Sequence, residues 1–299
     1  PIVLPNVSER RHVHIINPNA GSKKYYSAAV SAIEKSGEER LESTSGEHLR
    51  NLVAELFRRD PFAHAIVYGG DGSVYEAVNG IMESGAAATA SFSVFPAGSG
   101  NDFSTFANDK AGFKKAELNK IDLISVSRGG KRDYFANMMN IGFDCAVVKE
   151  TYTLKKKPFL KGSAAYIAGV LKVLAVKKTI PAKIKLSGVV SLDKKAPQGD
   201  IVMEKNILLT ACANGRYCGG GFNAASLAML NDGLMDVLVV NDVSRAKFIS
   251  IVGNYKKGDY ISEDGSMMSS FKNVIDYCKC RRMEIVGPEM ICLDGEVIE

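Results

Sequence analysis

A parallel α/β domain followed by a mostly antiparallel β domain is the architecture this 299-residue sequence predicts. Three observations point to it. Up to about residue 125, apolar runs of strand length alternate with helical patterns, as in a parallel sheet with helices on both faces. After Ile121, strand follows strand with few helices between. The chain also exceeds the usual single-domain size, and with 46% hydrophobic and 24% charged residues it has the material for two cores. The expected boundary falls near residues 122–132, giving domains 1–125 and 126–299.

Taken in order, the first domain should hold strands at His12 to Ile16, Ala63 to Tyr68 and Ser91 to Phe95, and helices at Tyr25 to Lys35, Glu47 to Arg58 and Val74 to Glu83. The second should hold strands at Tyr134 to Val148, Ala182 to Val190, Lys205 to Ala213, Met235 to Val240 and Asp276 to Val286. Helices are expected at Ser163 to Val176 and Arg245 to Lys256, and Ser187 to Asp200 reads as an exposed loop.

Ligands of parallel sheets bind at the carboxyl ends of strands, and three loops there are rich in glycine. V-Y-G-G-D-G-S-V-Y-E (67–76) joins a strand to a helix, I-I-N-P-N-A-G-S (15–22) follows the first strand, and F-P-A-G-S-G-N-D-F (95–103) follows another. Singly, each reads as a tight turn. Together, with glycines that let backbone N–H groups approach a ligand and a helix beginning at once, they describe a phosphate cradle. Neither the G-x-x-x-x-G-K-[ST] nor the G-x-G-x-x-G fingerprint is present.

The six cysteines (Cys145, Cys212, Cys218, Cys278, Cys280, Cys292) include no C-x-x-C pair, and Cys278-Lys279-Cys280 with four scattered histidines lacks zinc-ligand spacing. Free buried thiols in a reducing compartment are expected. Pro1 reads as a processed or trimmed start, no basic and apolar leader follows it, and the chain reads as cytoplasmic. The uncharged run Ser84 to Asn101 is too rich in Gly, Ser and Pro for a membrane span. The net charge of +5 hides an asymmetry: residues 155–185 carry nine lysines and no acid, so the remainder is net −4.

N-P-N-A-G (17–21), G-G-D-G-S-V-Y-E-A-V-N-G (69–80), P-A-G-S-G-N-D-F (96–103) and L-D-G-E (293–296) together resemble the diacylglycerol-kinase catalytic-domain superfamily, which includes bacterial lipid kinases, sphingosine and ceramide kinases and, more distantly, NAD kinases. The likeness in motif order and spacing covers nearly the whole chain. It implies an NAD-kinase/diacylglycerol-kinase-like α/β domain and a β-sandwich second domain. It also implies ATP and Mg²⁺ as cofactors and a lipid hydroxyl as acceptor, such as that of diacylglycerol or a sphingoid base.

By that resemblance the ATP phosphates would lie against Asn17, Pro18, Asn19, Ala20, Gly21, Gly69, Gly70, Gly72 and Ser73, with hydroxyl contacts from Thr44 and Ser99. Asp71 would hold Mg²⁺, which bridges phosphate oxygens; its alternative role is to shape the loop as an Asx turn. Asn101 and Asp102 would orient the metal or the acceptor, or else cap a helix. Asp294 would deprotonate the acceptor alcohol, a role worth roughly 10²- to 10⁴-fold in rate. Glu296 competes for that role, two residues on and on the same side if the strand is extended; D-G read alone is a hairpin turn. In M-L-N-D-G-L-M-D (229–236) the resemblance places a structural Mg²⁺ on Asp232 and the carbonyls of Met229 and Leu234, with Asp122 linked through water. Relatives usually continue beyond the point matching Glu299.

The apolar stretch Ala164 to Val176, flanked by Lys155 to Lys157, Lys161, Lys177 and Lys178, is either a core helix with solvated ends or a peripheral membrane-docking element. A nucleic-acid partner is not expected, because Phe159 and Tyr166 are too few for a stacking platform. A lipid acceptor would need an apolar crevice, by default between the domains. The alternatives are an NAD-kinase-like enzyme and a non-catalytic lipid-binding protein.

Overall fold

The computed structural model describes residues 4–18, 23–98, 100–108, 120–155, 163–176, 178–190 and 199–298. The chain forms two compact units, Pro1–Thr105 with Leu123–Ala136, and Phe106–Asp122 with Asn137–Glu299.

The first unit runs β1 (His12–Ile16), α1 (Lys23–Ser36), β2 (Glu39–Glu42), α2 (Gly46–Arg59), β3 (His64–Gly69), α3 (Asp71–Ser84), β4 (Ser91–Pro96) and the start of α4 (Asp102–Ala107), then the hairpin β5 (Ile124–Arg128) and β6 (Lys131–Phe135). Its four strands are parallel in the order β2-β1-β3-β4. The three expected strands are present, and β2 is an addition: E-R-L-E is short, polar and not fully buried, so it carries no alternating signal.

Local chemistry sets the helices. Ser45 accepts a hydrogen bond from the His48 N–H and caps α2. Leu49, Val53, Leu56 and Phe57 recur on one face of α2 and pack with Ala77 and Ile81 of α3 over Val13, Ile15 and Val67 of the sheet. Each such large apolar side chain contributes about 1.5–3 kcal/mol by burial.

The expected single cut at residue 125 is replaced by an interleaved division. The β5–β6 hairpin belongs with α3, where Asn79 Nδ2 donates to the Tyr134 carbonyl (2.9 Å) and the Tyr134 N–H donates to Asn79 Oδ1 (2.9 Å). Arg50 ties the same hairpin through Asp133, 3.6 Å away. A side-chain amide that mimics a strand partner leaves no mark in hydrophobic periodicity.

The second unit contains β7 (Met138–Gly142), α5 (Phe143–Lys155), α6 (Ser163–Val176), β8 (Ile180–Val189), β9 (Gly199–Ala213), β10 (Tyr217–Cys218), β11 (Phe222–Asn223), β12 (Met235–Asn241), α7 (Arg245–Lys257), β13 (Ile275–Cys280), β14 (Arg282–Val286), β15 (Ile291–Leu293) and β16 (Glu296–Ile298). The main sheet is antiparallel in the order β13-β12-β9-β7-β15-β16. The first half of the long strand β9 pairs instead with β8, which pairs with β14, giving the arm of a β-sandwich. The core gathers Phe143, Leu208, Leu238, Tyr260 and Phe271.

Two expectations are corrected here. The strand expected over Tyr134 to Val148 is β6, β7 and the start of α5. Gly142, at φ +86°, turns the chain where a methyl group would stand 2.5 Å from the Leu208 carbonyl oxygen. The strand expected over Asp276 to Val286 divides at Arg281, whose N–H leaves the ladder for the Ser187 carbonyl. The expected loop Ser187 to Asp200 is strand at both ends, and 191–198 lie outside the described residues.

Candidate active site

In the first unit, β3 ends at Gly69 and α3 begins at Asp71 with Gly70 as its N-cap and no side chain capping it. An uncapped helix start leaves N–H donors and a positive dipole end available to an anion. Sterics dictate the glycines. A methyl at Gly69 would lie 2.1 Å from Ser73 Oγ, and one at Gly70 would lie 2.8 Å from the Gly98 Cα, so the two glycine loops meet at Gly70 and Gly98 with no room for side chains.

Asn101 fastens the second loop. At φ +53°, it accepts from the Gly98 N–H through Oδ1 (2.8 Å) and donates to the Gly98 carbonyl through Nδ2 (2.9 Å). Its side chain shapes the loop rather than capping the helix that follows, a role the sequence reading did not give it. Asp71 Oδ1 accepts from the Phe103 N–H at the start of α4 (3.1 Å). Burial pushes the Asp71 carboxyl up, partly offset by the N–H groups of Phe103, Asp102 and Asn101. Asp102 is buried beside it: Asp71 Oδ2 and Asp102 Oδ2 would lie 2.9 and 3.5 Å from a methyl at Gly100, so both carboxylates border that glycine. Two hard oxygen donors next to an open helix start fit a phosphate-bound Mg²⁺.

The Asn17 N–H donates to the Tyr68 carbonyl (3.3 Å), joining the end of β1 to β3, and Pro18 follows it. The Thr44 hydroxyl and N–H both meet His48 Nδ1, at 2.9 and 3.1 Å. Asn19, Ala20, Gly21 and Ser99 lie outside the described residues.

In the second unit, Asp294 and Gly295 form the two-residue turn between β15 and β16, with φ of +45° and +91°. This is the hairpin reading of D-G. Because the chain reverses there, Glu296 pairs across from Leu293 and does not continue an extended strand beyond Asp294, which corrects the geometry assumed for it. Asp294 is buried, and its Oδ1 accepts from the N–H groups of Asn137 (3.1 Å) and Met138 (2.8 Å). Tyr152 of α5 donates to the Gly295 carbonyl (3.1 Å). The turn therefore also presents a carboxylate in a fixed orientation.

Asn137 was missed by sequence reasoning. Its N–H holds Asp294, its carbonyl accepts from the N–H groups of Asn214 and Gly215, its Nδ2 donates to the Tyr217 carbonyl, and its buried Oδ1 has no hydrogen-bond partner among the described residues. Such an orphan acceptor suits a water or a hydroxyl ligand. A lone asparagine beside no glycine motif carries no signal.

Asp122 and the loop carrying Met229, Asp232 and Leu234 do come together: the Asp122 N–H donates to the Leu230 carbonyl (2.6 Å), and the Gly233 N–H donates to Asp122 Oδ2 (2.7 Å). The Asp232 carboxylate, however, accepts from the Leu234 N–H (3.1 Å) and from Lys279 Nζ (3.0 Å). The donor set thus already contains a buried cation and does not fit the structural Mg²⁺ that the resemblance implied. Among the described residues no group of three or more His, Cys, Asp or Glu is arranged to hold a metal ion. None of the six cysteines, all of them among the described residues, forms a disulfide; burial pushes Cys278 up to about 12 and Cys280 up to about 11, so these two thiols are inert rather than reactive.

The fold and site define a two-part protein: a parallel α/β unit with a glycine-built anion cradle, and an antiparallel β unit carrying an oriented carboxylate. Residues 11–128 match the diacylglycerol kinase catalytic domain, and residues 137–297 match the YegS C-terminal NAD kinase beta sandwich-like domain. The chain belongs to the family that joins these two domains.

A protein from Shewanella frigidimarina named "Probable lipid kinase YegS-like" is 30% identical over 214 residues, 69% of this chain and 62% of that protein. One of the same name from Stenotrophomonas maltophilia is 30% identical over 187 residues, 60% of this chain and 56% of its own. The matched region thus spans less than two thirds of either relative. A solved diacylglycerol kinase structure from Bacillus anthracis aligns with a TM-score of 0.59 at 20% identity, over 95% of this chain and 89% of its own. Another from that organism aligns with a TM-score of 0.65 at 21% identity, over 96% and 90%. At such identities the likeness establishes the fold.

Proposed function

We propose that the chain is an ATP- and Mg²⁺-dependent kinase of a lipid alcohol such as diacylglycerol or a sphingoid base. The observation that carries this reading is the uncapped start of α3 behind Gly69 and Gly70, with Asp71 and Asp102 beside it, in residues that match a diacylglycerol kinase catalytic domain. Backbone N–H groups at Asp71 and Gly72 receive the phosphates, assisted by the Asn17 loop, Thr44 and Ser99, while the Ser73 N–H closes the first turn on the Gly70 carbonyl (2.9 Å). Asp71 and Asp102 are the residues that would hold Mg²⁺, which neutralises charge developing on the transferred phosphoryl group. Asp294, its orientation fixed by the Asn137 and Met138 N–H groups, takes the proton from the acceptor hydroxyl, with Glu296 as the competing base.

A lipid acceptor requires contact with a membrane surface. No described helix is long and apolar enough to cross one. Docking is assigned instead to α6 and the start of α7, where Leu171, Val176 and Ile249 are 62, 59 and 64% exposed. Arg245 joins the two helices by donating to the Leu174 and Ala175 carbonyls. The side chains of residues 155–167, and residue 177, which include most of the flanking lysines, lie outside the description.

The test is phosphate transfer from γ-labelled ATP with Mg²⁺ to a panel of lipid alcohols in mixed micelles and to NAD, with Asp294→Asn in parallel. Labelled lipid that vanishes with the variant, while ATP binding persists, is the expected result. Label on NAD alone would replace the lipid reading with an NAD-kinase-like one. Vesicle binding without any transfer would replace it with a non-catalytic lipid-binding protein.

A further inference from the structure

Lys279 lies on β13 directly opposite Asp236 of β12. Its ammonium donates to Asp236 Oδ2 at 2.8 Å and to Asp232 Oδ2 at 3.0 Å, and the three side chains are 7, 1 and 5% exposed. Tyr277, two residues earlier on the same face of β13, donates to Asp236 Oδ1. Burial raises the Asp236 carboxyl, partly offset by Lys279 and Tyr277. The N-D-G loop is closed by bonds of its own: Leu234 N–H to Asp232, and Gly233 N–H to Asp122. A divalent ion on Asp232 would have to sit beside a buried ammonium that already shares that carboxylate, and like charges in a poorly solvated place repel strongly.

We propose that Lys279 is the loop's own cation: its ammonium does the charge-neutralising work that the resemblance assigns to a divalent metal, so the second unit folds and holds the Asp122–Asp232 loop without one. This inference stands on the ion cluster alone, whether or not the chain transfers phosphate. Lys279→Met removes the ammonium and leaves two adjacent buried carboxylates, Asp232 and Asp236, without it. Such a pair costs stability unless protonated or given a new cation, and hard oxygen donors with nearby carbonyls then suit Mg²⁺.

The experiment is thermal unfolding without nucleotide, in EDTA and in millimolar Mg²⁺. The parent is expected to melt at the same temperature in both. Lys279→Met should melt several degrees lower in EDTA and recover part of the loss in Mg²⁺, and Asp232→Asn added to it should abolish the recovery. A parent stabilised by Mg²⁺, with the effect lost in Asp232→Asn, overturns the proposal, as does a Lys279→Met variant as stable in EDTA as the parent. Should Lys279→Met fail to fold in either buffer, Mn²⁺ binding to the nucleotide-free parent decides. A site lost in Asp232→Asn overturns the proposal, and no Asp232-dependent site upholds it.

Discussion

Asp144, in the first turn of α5, has a carboxyl that burial pushes from 3.8 up to about 6, although the residue as a whole keeps some exposure. A raised acid binds its proton more tightly in the folded chain than in the unfolded one. Its stabilising contribution is therefore complete below the ordinary aspartate range and is lost as the pH rises through about 6. The displacement corresponds to roughly 3 kcal/mol at neutral pH. Asp144→Asn should gain up to about that much over the parent at pH 7, with the gain shrinking as the pH falls toward the ordinary aspartate value. Urea unfolding at several pH values checks this; parallel curves for the two proteins would mean that the carboxyl is solvated. At this scale the sequence was uneven. Asp71, Asp102 and Asp294 stood out because glycine motifs surround them. Lys279 did not, yet strand alternation places it with Ile275 and Tyr277 on one face of β13, and an inward lysine in an apolar strand asks for carboxylates. Asn137 acts chiefly through its backbone groups, which no residue type announces.

Helix contacts make one substitution act in opposite directions at two places. Gly80 lies where α3 crosses α2, and a methyl there would stand 2.5 Å from the Arg50 carbonyl oxygen and 2.9 Å from Val53 Cβ. Those are backbone and β-branched neighbours that cannot step aside. Overpacking costs about 1–3 kcal/mol, which outweighs the gain of about 1 kcal/mol in helix propensity. A methyl at Gly253 in α7 would meet nothing within 4 Å among the described residues beyond its own helix backbone. Gly80→Ala should therefore lower the unfolding midpoint and Gly253→Ala should raise it; a rise in both would show that α2 and α3 can move apart. Removing the Ser45 cap by Ser45→Ala should cost about 1 kcal/mol in the same assay. Elements with strong periodicity, such as β1, α2, β3, α3 and β12, were legible in the sequence. The failures share a cause: β2 is too short and polar to signal, and F-D-C-A-V-V-K reads as strand until Gly142 is known to turn the chain at positive φ.

Two domains could be read from the change of grammar near Ile121, but their interleaving could not, because it depends on Asn79 holding Tyr134 across 55 residues. Charge behaves the same way across the molecule. The lysine-rich stretch 155–185 is plain in the sequence, yet Lys172 is paired with Glu150 at 2.7 Å and Lys183 with Glu204 at 2.6 Å. Those two lysines are already partnered, so apolar contact must carry part of any docking. Leu171 and Ile249 each expose more than half of a side chain whose full burial is worth about 1.5–3 kcal/mol. Insertion of either would then contribute on the order of 1 kcal/mol, or severalfold in affinity. Sedimentation with vesicles rich in anionic lipid should retain the protein more than zwitterionic vesicles do, and added salt should weaken the retention without abolishing it. Leu171→Asp and Ile249→Asp should each reduce retention severalfold at constant charge on the vesicle, whereas Val202→Asp, an equally exposed control on β9, should not. Retention that vanishes with salt and ignores all three substitutions would make the attachment purely electrostatic and remove α6 and α7 from the docking surface.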